Sequence, residues 1–252
     1  IINYYIIKMS YKKSKYFRKT KKIRIKYFNL NKNSLITIVF FHGFMSDMIG
    51  KKPTAILKYC RKKKINFLKF EYSGHGKSTG KFTDGNISKW TSEVRQLIKT
   101  KVENNKKLIF IGSSMGSWIA INLFSHFKKQ IKGFIGIASA PEFLEELMWK
   151  KFSKKIKKII ISKKIYYLDH GNFTYPLTKQ LILNGKKNKI FNKNIKLKIP
   201  ITLFHGSNDE VVPLKFSRKI LSCILVLRCR EIPTEQQAYR NRTEPYSSHR
   251  TE

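Results

Sequence analysis

Residues 108–124, LIFIGSSMGSWIAINLF, set an apolar run of strand length against an apolar run of helix length, joined only through Gly112, Ser113, Ser114, Met115 and Gly116. A chain passes from strand to helix over so short a joint by turning sharply, and the positions two residues either side of the turning residue must then be small. Glycine at 112 and at 116 meets that condition, so Ser114 is predicted to stand on the turn with its hydroxyl presented. The turn also aims the positive end of the following helix, and the N–H of Met115, at any negative charge that develops beside the serine. A serine so placed is a candidate nucleophile.

The rest of the chain alternates in the same way. Ile23 to Phe28, Leu35 to Phe41, Asn66 to Tyr72, Leu108 to Ile111, Phe134 to Ala138 and Pro200 to His205 read as strands. Pro53 to Lys63, Ile87 to Val102, Met115 to Phe127 and Leu214 to Leu221 read as helices. Strands alternating with helices of about 10 to 15 residues imply a mainly parallel sheet with helices on both faces. Between Pro141 and Lys198 the alternation gives way to amphipathic, lysine-rich segments such as Phe152 to Lys164, an insertion of the size of a lid. The expected organisation is a basic N-terminal segment at 1–30, one α/β domain at 31–222 with the insertion at 141–198, and a separate tail at 223–252.

Two further loops supply site candidates. In IVFFHGFMSDM an apolar strand runs into His42, Gly43 and Phe44, where Gly43 permits a sharp turn and lets the N–H of Phe44 face Ser114 as a second oxyanion donor. In HGSNDEVVP, Asp209 lies in the turn that leaves a strand, the place for an acid that orients a general base. Glu210 competes with it, and Glu142 is a lesser alternative. His42 and His75 read as structural, since the base follows the acid in chain order and both precede Ser114. Phe143, Met148 and Trp149 are apolar enough to contact an acyl chain or to pack the insertion on the core.

The formal net charge of +38 raises the question of a polyanionic partner. The lysines are spread over nearly every segment together with abundant Ile and Asn, as amino-acid drift in an AT-rich genome produces, and no nucleic-acid-binding motif accompanies them. No specific nucleic-acid partner is expected, and Tyr11 to Lys26 is the densest basic stretch. The apolar runs fall short of the roughly 20 residues of a transmembrane helix, and the N-terminus reads poorly as a secretory signal. Met9 looks a better start than Ile1. Cys60, Cys223 and Cys229 lack metal-ligand spacing, which fits a reducing, cytoplasmic setting with no metal.

The stretches HGFMSDMIGKK, FEYSGHGKSTGKFTDGNISKW, GSSMGSWIA, ASAPEFLEELMW and YPLTKQLILNG carry a more specific likeness. From about Ile36 to about Leu221 the chain resembles the α/β-hydrolases, and among them bacterial relatives of the mitochondrial palmitoyl-protein thioesterase that also acts as an acyl-glucuronide esterase. The resemblance implies hydrolysis of carboxylic esters and thioesters through an acyl-enzyme, without a cofactor, on a small-molecule acyl substrate. It carries a nucleophile to Ser114, an acid to Asp209 and oxyanion donors to Phe44 and Met115. Ser117 stands where many relatives have glycine.

The base is expected about thirty residues after the acid, near Tyr239, where there is no histidine. His249, in Ser248 to Arg250, is the remaining candidate, some ten residues later than this spacing asks. The composition changes there too: every lysine lies at or before Lys219, whereas residues 220–252 hold five of the ten arginines. Such a tail reads as a frameshift or a chimeric join, in which case the final strand and helix are missing or replaced and the base is lost.

Overall fold

The computed structural model describes residues 15–18, 23–170, 173–193 and 195–224, the side chain of His170 excepted. In chain order its main elements are β1 (Lys15–Arg18), β2 (Arg24–Leu30), β3 (Ile36–Phe41), α1 (Lys51–Lys62), β4 (Asn66–Phe70), α2 (Ile87–Lys101), β5 (Lys107–Ser113) and α3 (Met115–Asn122). There follow β6 (Ile131–Ile137), α4 (Lys154–Lys163), β7 (Ile165–His170), β8 (Phe173–Thr178), α5 (Lys179–Lys187), β9 (Ile201–Phe204) and α6 (Lys215–Cys223). The described strands form a seven-stranded sheet in the order β1-β2-β4-β3-β5-β6-β9 and a separate β7–β8 hairpin. From β4 to β9 the sheet is parallel, and β1 and β2 extend it antiparallel at one side.

Parallel strands covered on both faces must be apolar throughout, and β3 illustrates it. Ile38 and Phe40 pack with Leu57 and Cys60 of α1, whereas Val39 and Phe41 join the larger cluster that holds Trp90 and Leu97 of α2 and Trp118 and Ile119 of α3. Asn66, buried at the start of β4, accepts from Lys32 N (2.7 Å) and donates to Ser34 O (2.7 Å), which closes the turn between β2 and β3.

The sequence reading and the structure differ in three places. The basic stretch from Tyr11 to Lys26 contains β1 and part of β2, and Ile25, Tyr27 and Phe28 are buried. The sheet therefore takes in part of the segment assigned to a separate N-terminal extension. α3 stops at Asn122 rather than Phe127, because Leu123 and Phe124 donate three residues back, to Ala120 and Ile121, and tighten the end of the helix into a 3₁₀ turn at Ser125–Phe127. The insertion contains the β7–β8 hairpin, with Tyr166 opposite Leu177 and Leu168 opposite Tyr175. The tail from residue 225 onward, with its expected loss of the final strand and helix, lies outside the described residues.

The start of α2 is fixed by one side chain. Asn86 caps the helix by accepting from Lys89 N (2.9 Å). Trp90 donates its Nε1–H to Ser73 O (3.1 Å) and packs against Tyr72, His75 and Phe82. Gly85 lies so close to the Trp90 ring that any Cβ there would overlap it. Trp90→Ala is expected to cost about 3–5 kcal/mol, read as a lowered midpoint in urea unfolding. A loss under about 1 kcal/mol would show that this ring does not anchor α2.

Candidate active site

Ser114 has φ 51° and ψ −120°, a backbone conformation that costs a residue with a side chain on the order of 1–3 kcal/mol. Its surroundings hold it there. The Ser114 N–H donates to Ile137 O at the end of β6 (2.9 Å), and its carbonyl accepts from Ser117 N (3.0 Å) and Ala140 N (3.3 Å). A Cβ on Gly116 would overlap the Phe41 and His42 carbonyls, and one on Gly112 would overlap the Ser117 backbone. Both glycines are thus required by close approach of backbone to backbone. Ser117 adds a bond that glycine cannot make: it donates to Gly112 O (2.8 Å) and accepts from the buried Ser139 hydroxyl (2.8 Å).

The loop after β3 lies against the serine. A Cβ on Gly43 would sit 3.5 Å from Ser114 Cβ. Phe44 follows, its ring packed on Phe82 (5.1 Å), Phe143 (5.3 Å) and Tyr175 of β8 (5.8 Å). Met115 is the first residue of α3, whose leading N–H groups have no acceptor within the helix. The loop is pinned by His42, whose Nδ1–H donates to Gly43 O (2.8 Å) and whose Nε2 accepts from Tyr72 N (3.3 Å). Burial, with His75 beside it, holds the His42 imidazole neutral, its pKa well below the ordinary 6.5. His75 donates to Ser73 O (3.2 Å), and burial brings its pKa down to about 4. Both are buried side chains that pin the loop after β3 and the loop after β4.

Asp209 stands in the turn after β9, two strands from β5 at the same edge of the sheet. Its Oδ1 accepts from Val211 N (3.0 Å) and Val212 N (2.8 Å). Oδ2 faces His205 Nε2 at 3.7 Å. His205 was legible in the sequence only as the end of a strand, yet it ties this turn to α6. Its Nε2–H donates to Val212 O (2.6 Å), and Nδ1 meets the Ser217 hydroxyl (2.7 Å). Since a carbonyl only accepts, the ring carries a hydrogen on Nε2. Glu210 is exposed. Glu142 is buried, with Oε1 accepting from Ile190 N (2.6 Å) and Phe191 N (2.7 Å), so it fastens the exit of the insertion and is not presented as an acid.

Of the apolar residues singled out in the insertion, Phe143 reaches the site through its contact with Phe44. Trp149 lies under two lysines, with Lys186 Nζ 4.7 Å and Lys157 Nζ 5.8 Å from its ring centre, and so packs the insertion. Met148 is half-buried against the core. His249 lies outside the described residues. Among the histidines whose side chains are described, none hydrogen-bonds the Ser114 hydroxyl. No three metal-binding side chains are grouped among the described residues, and no described helix is long and apolar enough to cross a membrane.

Ser114 thus stands on a strained strand-to-helix turn, with the Asp209 carboxylate in a turn two parallel strands away. The family model described as serine aminopeptidase, S33, matches residues 33–169, and the chain belongs to this α/β-hydrolase family. The family is one of serine hydrolases of the esterase and thioesterase type. The mitochondrial palmitoyl-protein thioesterase ABHD10 of Rattus norvegicus is 30% identical over 183 residues, which is 70% of this chain and 59% of that protein. The chain thus spans under two thirds of the length of such curated relatives. Among solved structures, a protein of Agrobacterium vitis S4 superposes with a TM-score of 0.78 at 23% identity, over 92% of this chain and 98% of that one. Est1E of Butyrivibrio proteoclasticus with ferulic acid bound superposes at 0.71 and 21% identity, over 87% and 89%.

The low pKa of His75 gives a testable pH dependence. Folded His75 stays neutral down to about pH 4, whereas in the unfolded chain it takes a proton below 6.5. The unfolded state therefore binds more protons between these values, and stability present above 6.5 is lost as the pH falls through that window, by roughly 3 kcal/mol. Glu71, raised by burial, acts in the opposite sense. His75→Asn should flatten the fall in urea-unfolding free energy between pH 7 and pH 4.5. An unchanged slope would mean that His75 is not kept neutral by the fold.

Proposed function

We propose that the chain is a serine hydrolase of carboxylic esters and thioesters with small or medium acyl groups, working through an acyl-enzyme on Ser114. The observation that carries this reading is the strained Ser114 turn, since its cost persists only where the surrounding structure enforces it and such strain gathers at reacting groups. In the reaction, Ser114 Oγ attacks the acyl carbonyl while the N–H groups of Phe44 and Met115 take the developing oxyanion. The serine proton passes to an imidazole oriented by Asp209, the leaving group departs with that proton, and water then releases the acid by the reverse path.

Strands β5 and β9 are two sheet spacings apart, about 10 Å. An imidazole with one hydrogen bond of about 2.8 Å at each nitrogen fills that gap. Asp209 supports the acid's role because its Oδ1 is held by its own turn, which fixes the carboxylate at the end of β9 while Oδ2 has, among the described residues, only His205 Nε2 near it, at 3.7 Å. Phe44, Phe143 and Tyr175 form an aromatic wall beside the oxyanion loop that suits an acyl chain better than a peptide. The resemblance to a thioesterase points the same way, and a cytoplasmic setting remains part of the proposal.

A catalytically impaired chain is the second reading. It is favoured because, among the described residues, no histidine side chain hydrogen-bonds the Ser114 hydroxyl. A fluorophosphonate probe separates the two. Labelling of the folded protein that disappears in Ser114→Ala supports an activated serine, and folded protein that takes no label supports impairment. His249→Ala is expected to leave turnover of a short-chain thioester unchanged. A loss of a thousandfold or more, on the order seen when a triad member is removed, would place the base at His249.

A further inference from the structure

At the end of α3 away from Ser114 the structure holds a cavity of about 510 Å³ that has no part in the chemistry above. α3 spans eight residues, so the cavity lies on the order of 12 Å along the helix from the nucleophile turn. Ile121 and Asn122 at the end of α3 form one wall, and Lys193, Ile195 and Lys196 after α5 form the other, with Lys128 completing the lining. Contacts already in place hold both walls. Leu123 and Phe124 donate to the Ala120 and Ile121 carbonyls, so the helix end keeps these acceptors to itself. Opposite it, Trp118 Nε1–H donates to Asn188 O (2.8 Å), Glu142 accepts from the Ile190 and Phe191 amides, and Ile195 N donates to Cys223 O (2.9 Å). A ligand meets a formed pocket and has no loop to order.

Lysine is abundant throughout this chain, so three lysines do not by themselves mark a site. Their setting does. No Asp or Glu lines the cavity, and among the described residues no ion pair reaches Lys128, Lys193 or Lys196. The Asn122 side chain stands at the same wall, and its buried Nδ2 meets no acceptor among the described residues. A buried donor without an acceptor is costly, and folded proteins hold few of them. Charge and the unmet donor both call for an anionic oxygen. Ile121, Ile195 and the methylene stems of the lysines make up much of the remaining lining, which calls for an aliphatic body on the ligand. A nucleotide fits less well, because the lining ring, Phe124, is buried against Phe110 and Phe134 and offers no face for a base to stack on.

We propose that this cavity binds an amphiphilic anion, a carboxylate or phosphate head on a medium-length alkyl chain, with the head among Lys128, Lys193, Lys196 and Asn122 and the chain along Ile121 and Ile195. The site does not rest on hydrolysis at Ser114, so its test uses the Ser114→Ala protein.

Octyl phosphate and octanoate are titrated into full-length Ser114→Ala protein by calorimetry, with ethyl phosphate, acetate and octanol to separate head from chain. The tighter octyl anion should bind at least about tenfold more strongly than its short-chain counterpart and than octanol, and which anion that is names the head group. Mass spectrometry of lysine acetylation with that anion bound locates it. Lys128, Lys193 and Lys196 should be protected, and the exposed Lys154, Lys155 and Lys158 of α4 should not. Replacing Lys128, Lys193 and Lys196 with Gln should weaken binding by about thirtyfold or more, at roughly three- to fivefold for each exposed charge, with circular dichroism unchanged. The same replacement at Lys154, Lys155 and Lys158 makes an equal change in net charge and should have little effect. Equal losses from the two lysine sets, or even protection of both, would overturn the proposal in favour of diffuse attraction to a chain of charge +38. So would the absence of binding, short-chain anions that bind as well as octyl ones, or an anion that binds and leaves Lys128, Lys193 and Lys196 unprotected, as it would at the aromatic wall beside Phe44.

Discussion

The turn at Ser114 is the contact on which the rest of the site depends. A residue with a side chain does not remain at φ 51° unless its neighbours enforce it, and here three strands and a helix do so. The Ser114 amide is tied to β6 and its carbonyl to α3 and to the residues after β6, while Gly116 brings α3 against the end of β3. Because β3, β5 and β6 are neighbours in one parallel sheet, their ends coincide in space, and the loop after β3 is delivered to the serine with no separate device. The approach of that loop to Ser114 is thus a consequence of strand order, with His42 and the Ser139–Ser117–Gly112 chain as its fasteners.

How much the sequence made legible depends on how local the signals are. The elbow could be read because its glycines, its strand and its helix are contiguous, and the strands of the parallel sheet because burial on both faces leaves them uniformly apolar. The β7–β8 hairpin was less legible, although Tyr166, Tyr167, Phe173 and Tyr175 flank a Gly171-Asn172 turn signal, because lysine-rich flanks hide a two-residue period. His205 could be read only as the end of a strand, since its partners Val212 and Ser217 become neighbours only when α6 packs back on the sheet. Glu142 was misleading for the same reason: a carboxylate after a strand looks like an acid until the Ile190 and Phe191 amides are seen to occupy it.

The burial of His42 and His75 fits a chain that carries so many cations. Among Tyr72, Phe82 and Trp90 a protonated imidazole would be desolvated, so the fold keeps both rings uncharged and uses them as hydrogen-bonding spacers under the oxyanion loop. The histidines beneath this loop therefore add no fixed positive charge there. An oxyanion in such a site is stabilised by oriented amides, whose positions are set by the sheet.

The turns that carry Asp209 and Ser114 are each held by contacts of their own. Asp209 is held by the amides of Val211 and Val212, and His205 ties the same turn to α6. Ser114 is likewise fixed by β3, β5, β6 and α3 alone. The two turns meet at one sheet edge through separate sets of contacts, so a substitution that disturbs one is expected to leave the geometry of the other largely in place.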